Sequence, residues 1–412
     1  MCSLDKSNAG NAKLFGLLED IGMDGTQFNL ALMYFFFTYG LFEPVSNIML
    51  RRVGPKIWFP FIVCAWGLIT TLTSQASSYG SFIVIRLMLG ITEAGLYPGA
   101  YFILSMWYTP KEIGTRMAIF YGANTTAGAF GGVIAYAHFL INTKLVRLPL
   151  GSQKEELEYA SLRIKYANGH VSSTYEFRWS DVIAAAKDRK TYFMMMLFWW
   201  GGSVPTYSLS YTLPTMVANL GYSSVKAQAL TTPPYIFATC VCVAVGYISD
   251  RKSRRYQCIM GAYTLGLIGI IILWITVHYS SLPGVSYFAI FLAAAGYSAQ
   301  APIVGAWTSS NITNPSKRAA AIGLLMLLGS VGGEKSPGLA NISQAPTYPL
   351  GFGFSVGATV LGAMIPATIH WYLMRKENKR RDGLNIAEVE RTYTTEELGE
   401  MGEDSPLFRF VL

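Results

Sequence analysis

Arg86 and Glu93 are the only charged residues in the stretch 80–107. They stand seven residues apart, and at about 100° per residue that spacing puts both on one face of a helix, roughly 10 Å apart along its axis. The gap is too wide for a direct salt bridge, so each charge needs its own reason to be there. Burying either in a bilayer costs about 2.5 to 3.5 kcal/mol even on lenient insertion scales, which favours a water-filled cavity or a partner on another helix. The pair then has two readings. Arg86 could draw an anion while Glu93 carries a proton, or both could belong to fixed interhelical ion pairs.

Other groups sit at the ends of apolar runs. Glu43, followed by Pro44, lies near the end of the run 28–50, where a gating or helix-packing role suits it better than substrate contact. Asp250, Arg251 and Arg255 follow another run and read either as charge contacts that hold one side shut or as a solvated cluster that sets topology. Arg116 and Arg318 are candidate counterparts of that cluster in the two halves of the chain. Tyr207 and Tyr211, spaced i to i+4 between Pro205 and Pro214, could line a cavity with Asn124, Gln300 and Asn311. Aromatic residues on such helices also meet lipid or the interfacial belt. The four histidines are scattered and the five cysteines form no CxxC pair, so no metal site, cofactor or disulfide framework is expected.

The elements that must position these residues follow from composition. The chain of 412 residues is 52% apolar and only 14% charged, against roughly 25% charged in soluble proteins. That excludes a soluble enzyme of ordinary type and a disordered protein. With about 20 apolar residues needed per crossing, candidate spans are 28–50, 57–76, 80–107, 116–140, 191–217, 228–249, 257–279, 285–310, 318–342 and 351–374. The formal charge of +8 sits in short clusters between these runs, which points to membrane topology and not to nucleic acid. Basic residues occupy alternate loops, so the positive-inside rule places those loops and the tail in the cytoplasm. The protein is read as integral to a membrane, with the plasma membrane expected.

Two signatures recur at offsets close to 200 residues. Arg51-Arg52-Val53-Gly54-Pro55-Lys56 answers to Asp250-Arg251-Lys252-Ser253-Arg254-Arg255, and Arg116-Met117-Ala118 answers to Arg318-Ala319-Ala320. Two homologous halves joined by a long polar stretch are the layout of a transporter made of parallel repeats. The expected organisation is a helical bundle over 1–141, a cytoplasmic loop over 142–190, a six-helix bundle over 191–374 and a cytoplasmic tail over 375–412. Parity then fails: if Arg51, Arg116 and Arg251 share one side, an odd number of crossings is missing between 141 and 190. The first bundle is therefore expected to be incomplete, lacking the start of its first helix and all of its sixth.

Particular runs carry a resemblance. Leu4-Asp5-Lys6-Ser7-Asn8-Ala9-Gly10-Asn11-Ala12, Phe42-Glu43-Pro44-Val45-Ser46-Asn47, Arg86-Leu87-Met88-Leu89-Gly90-Ile91-Thr92-Glu93-Ala94-Gly95, Leu213-Pro214-Thr215 and Pro233-Pro234-Tyr235 resemble the major facilitator superfamily. Within it, the anion:cation symporter family of fungal allantoate and nicotinate permeases is the nearest in pattern, and Phe408-Arg409-Phe410-Val411-Leu412 is similar to its tail. The resemblance implies an all-α polytopic fold of two pseudo-symmetric bundles and proton-coupled uptake of a small organic anion by a monomer. It also implies that Asp5 is a proton carrier and Lys6 a substrate-facing cation. The family usually has Arg at the place of Lys6, and Gly333-Glu334-Lys335-Ser336-Pro337 stands where it has an apolar stretch. A transport-inactive truncated isoform or a nutrient sensor is the alternative.

Overall fold

The computed structural model describes residues 21–123, 177–206, 224–277, 282–339, 349–394 and 401–412, with 208, 209, 213, 217, 397 and 398 between them. Among these the elements are helices and no strand occurs. The expected deficits in the first helix and after 141 fall largely outside the described residues, as do Asp5, Lys6, Asn124, Tyr207 and Tyr211.

Helix α1 (Gly25–Val53) starts at a capping box, in which Asp24 accepts from the Gln27 amide and Gln27 reaches back to the Asp24 amide. It closes with Arg51 and Arg52 in its last turn, where cations complement exposed carbonyls. Gly54 follows at φ +92°, a conformation that side chains resist, and Pro55 occupies the first position of α2 (Pro55–Leu72), where no amide is needed. The first recurring basic signature is thus a sharp helix–helix corner. Helix α3 (Tyr79–Glu93) is capped by Ser78 and Ser81, and after a short break at Ala94 and Gly95 it continues as α4 (Leu96–Trp107). Helix α5 covers 113–123.

The second half begins with α6 (Trp179–Lys187) and α7 (Arg189–Met196), which runs into a wide π-helical turn at Leu197–Ser203. Helices α8 (Ser224–Lys252), α9 (Arg255–Thr276), α10 (Pro283–Ser310) and α11 (Pro315–Leu339) follow. Helix α12 (Pro349–Gly357) passes through a second π turn, Ala358–Met364, into α13 (Ile365–Asp382), eight residues past the expected end of the last span at 374. A short helix, α14 (Ile386–Thr392), precedes the tail.

Six stretches among the described residues are long and apolar enough to cross a membrane, with α3 and α4 counting as one. Their burial separates inside from outside: 83% of the apolar window of α10 is buried against 6% of that of α2. The first is a central helix and the second presents Ile57, Phe61 and Leu68 outward, as a lipid-facing helix must. The largest apolar cluster joins Leu50, Tyr101, Ile113 and Met117 of the first half to Tyr263, Val304, Trp307 and Ile322 of the second. The two halves therefore share one core where they meet.

Candidate functional site

Gly90 fixes α3 against α1. A Cβ there would overlap Thr38 Oγ1 and the Phe35 carbonyl, and Thr38 Oγ1 donates to the Leu87 carbonyl at 3.0 Å across the contact. Arg86 lies four residues before Gly90 and Glu93 three after, so both share the side of α3 that closes on its neighbours. Their exposures are 6% and 1%, and the Arg86 guanidinium lies 4.9 Å from the Phe82 ring centroid, one turn earlier. One turn past Glu93, Tyr97 stacks on Tyr101 at 5.2 Å and meets Phe120 and Tyr121. The sequence reading did not single out this aromatic group. Its spacing of four along a helix was the available signal.

At the end of the molecule that carries the basic clusters, Asp250 crosses from α8 to the start of α5. Its Oδ1 accepts from the Gly114 amide at 3.0 Å and its Oδ2 from the Thr115 amide and hydroxyl at 2.5 and 2.6 Å. A carboxylate there satisfies amides that no helical carbonyl can reach and complements the helix dipole. Arg255 Nη1 pairs with Asp250 at 2.6 Å and donates to Ser249 Oγ at 3.0 Å, while Nη2 donates to the Pro110 carbonyl. This network joins the halves and is buried, with Arg255 at 1% and Asp250 at 5% exposure.

Arg318 makes a second crossing. Its Nη1 donates to the Ser105 carbonyl at 2.8 Å, in the last turn of α4, and its Nε to the Ile312 carbonyl at 2.7 Å. A cation at a helix C-terminus mirrors the carboxylate at the N-terminus of α5. Beside it, Asn47 Nδ2 donates to the Ala319 carbonyl at 2.6 Å, and buried Glu43 lies one turn earlier on α1, where Pro44 packs against Gly323. Arg116 and Arg251 are exposed and lie over Tyr108 and Tyr247 respectively. Gln300 is buried in the second half: its Oε1 accepts from Tyr263 Oη at 3.3 Å, and the same hydroxyl donates to the Leu197 carbonyl at the π turn. Sequence reasoning missed Gly114, Thr115, Ser105 and Asn47, because all four act through backbone groups or toward them and none carries a charge.

Above the charged network the halves stay in contact. Cys242 Sγ lies 3.7 Å from the Ala118 carbonyl, and Thr239 Oγ1 donates to the Gly122 carbonyl at 3.3 Å. Apolar helices in two halves, closed at one end by charge contacts and holding Arg86 and Glu93 inside, are the build of a membrane transporter. The chain belongs to the major facilitator superfamily, which it matches over residues 1–143 and 162–337.

Its relatives are transporters, not enzymes. It is 81% identical to the MFS-type transporter cnsO of Penicillium expansum over an alignment of 449 residues, covering 100% of this chain and 87% of that protein. The high-affinity nicotinic acid transporter of Saccharomyces cerevisiae is 30% identical over 413 residues, 93% of this chain and 76% of that one. The crystal structure of the human organic anion transporter MFSD10 has the same fold, with a TM-score of 0.60 at 15% identity over 88% of this chain and 89% of that one.

Proposed function

We propose that this transporter takes up a small organic anion together with protons, by alternating exposure of a central site. The observation that carries the reading is the burial of Arg86 and Glu93 on one side of α3, inside a stretch apolar enough to cross a membrane. A buried cation suits a carboxylate, and a proton moving with the anion cancels its charge in a low-dielectric interior. The nicotinic acid transporter of yeast adds a relative whose cargo is such an anion. In this reading the basic end is cytoplasmic, and the contacts of Asp250, Arg255 and Arg318 hold the cytoplasmic gate shut. The test is accumulation of a panel of radiolabelled carboxylates in an uptake-deficient host, with and without a proton gradient. Gradient-dependent accumulation that Arg86→Ala abolishes, at unchanged surface abundance, supports the proposal; retained transport with unchanged apparent affinity removes Arg86 from the substrate site.

A second reading, a transport-inactive isoform, is favoured by one comparison. The alignment of 449 residues with the Penicillium expansum transporter is longer than this chain of 412, so that relative carries residues inside the matched span that this chain lacks. Equal uptake by this chain and by a version with that segment restored would eliminate the isoform reading.

A further inference from the structure

The segment from Gly402 to Leu412 folds back onto the basic end as a strap. Two asparagines hold it as a neighbouring strand would. Asn378 donates to the Phe410 carbonyl and accepts from its amide, both at 2.9 Å. Asn311 treats Val411 the same way, at 3.1 and 2.8 Å, and Trp307 Nε1 adds a bond to the Val411 carbonyl at 2.8 Å. Arg381 Nη1 gathers the carbonyls of Glu403, Ser405 and Phe408, and the Phe410 ring, 4% exposed, sits between Arg381 and Lys190.

The two ends of the strap meet two arginines that bridge the halves. The Leu412 carbonyl accepts from the Arg255 amide at 2.8 Å, at the start of a helix that has no side-chain cap. At the other end the Glu403 carboxylate accepts from the Thr313 amide and hydroxyl, while the carbonyls of Thr313 and Ile312 receive the Arg318 guanidinium. Arg255 and Arg318 thus take their positions from a common support. Each then reaches across, to Pro110 and to Ser105.

We propose that the strap is part of the gate: it positions Arg255 and Arg318 so that the cytoplasmic end closes, and its release favours opening. This rests on the transporter reading for its meaning, but its readout does not need transport. Cys242 is fully buried between the halves, two turns in from Asp250, and reports the opening directly. In a background with Cys2, Cys64, Cys240 and Cys258 replaced, a membrane-permeant maleimide should label Cys242 at least fivefold faster in Phe410→Ala than in the unmodified strap. Phe410→Tyr, which keeps a ring between Lys190 and Arg381, should restore the slow rate. Unchanged labelling in Phe410→Ala, or no recovery in Phe410→Tyr, overturns the proposal; if Phe410→Ala does not yield monodisperse protein, Asn378→Ala decides by the same criterion. Faster labelling without any uptake by the parent chain would retain the strap and reject the transport reading. Normal uptake with unmoved labelling would do the reverse.

Discussion

At the scale of single residues, the charges divide by what each one faces. Arg86 and Glu93 are buried in a helical interior, and if uptake is proton-coupled as proposed, Glu93→Gln, which mimics the protonated carboxyl, should abolish gradient-driven accumulation while counterflow exchange persists. Accumulation that survives the substitution would show that Glu93 is not the coupling group. Asp250 has a different task, holding two amides, a hydroxyl and a guanidinium at once. Removing one partner of a buried ion pair typically costs about 3 to 5 kcal/mol, because the other charge is left stranded. Arg255 is that charge, and it is freed of the penalty only where water reaches it. Asp250→Ala should therefore favour opening of the basic end, raising the rate of Cys242 labelling tenfold or more. Asp250→Asn keeps acceptor oxygen for the α5 amides and should fall between. An unchanged rate in Asp250→Ala would mean that the cluster sets topology and does not close a gate.

At the scale of elements, the helix ends do most of the joining. Lys317, at the start of α11, pairs with Asp188 before α7 at 2.7 Å and with Glu403 of the strap at 2.6 Å. Burial alone pushes both carboxyls up, yet the Lys317 charge and the hydrogen bonds outweigh it and hold both below the usual carboxylate range. Groups whose pKa is depressed by folding stabilise fully above their unfolded value, about 4, and lose that contribution as the pH falls through the lower folded value. The strap should thus stay docked at neutral pH and loosen below about pH 4, read as faster amide exchange at Phe410 and Val411 after correction for intrinsic rates. Lys317→Met leaves the buried Glu403 and the part-buried Asp188 without their cation, so the loosening should move to higher pH; no movement would exclude this triad as the anchor. How far the sequence showed these elements depends on the kind of signal. Arg86 and Glu93 are legible because isolated charges in an apolar run stand out in one dimension, whereas 51–56 reads in the sequence only as a recurring basic signature and the corner at Gly54 comes from the structure. The partners of Asp250 on α5 lie 135 and 136 residues away and are backbone amides and a threonine hydroxyl, groups that every chain has in plenty. The π turns and the asparagine clamps on the strap are equally hidden, since they depend on which carbonyls the packing leaves free.

At the scale of the whole molecule, alternating exposure requires the contacts along α5 and α8 to part as a unit. In this structure they run from Gly114 and Asp250 at the basic end through Ala118 and Cys242 to Gly122 and Thr239, about two turns further in. The last pair offers a lock. A Cβ built on Gly122 would lie 3.9 Å from the Cβ of Thr239, close to the mean of about 3.8 Å between the Cβ atoms of a disulfide. In a background free of the native cysteines, Gly122→Cys with Thr239→Cys should oxidise readily and hold the basic end shut. If transport proceeds by rocking of the halves, oxidation should reduce uptake to background and reduction should restore it, whereas Thr239→Cys alone, which adds nothing to the contact at Gly122, should transport normally under both conditions. Substrate presented at the opposite end of the molecule should still bind to the oxidised form, because the lock leaves that end untouched. Uptake that continues at full rate in a quantitatively cross-linked protein would show that α5 and α8 need not separate, and alternating exposure across this interface would have to be abandoned.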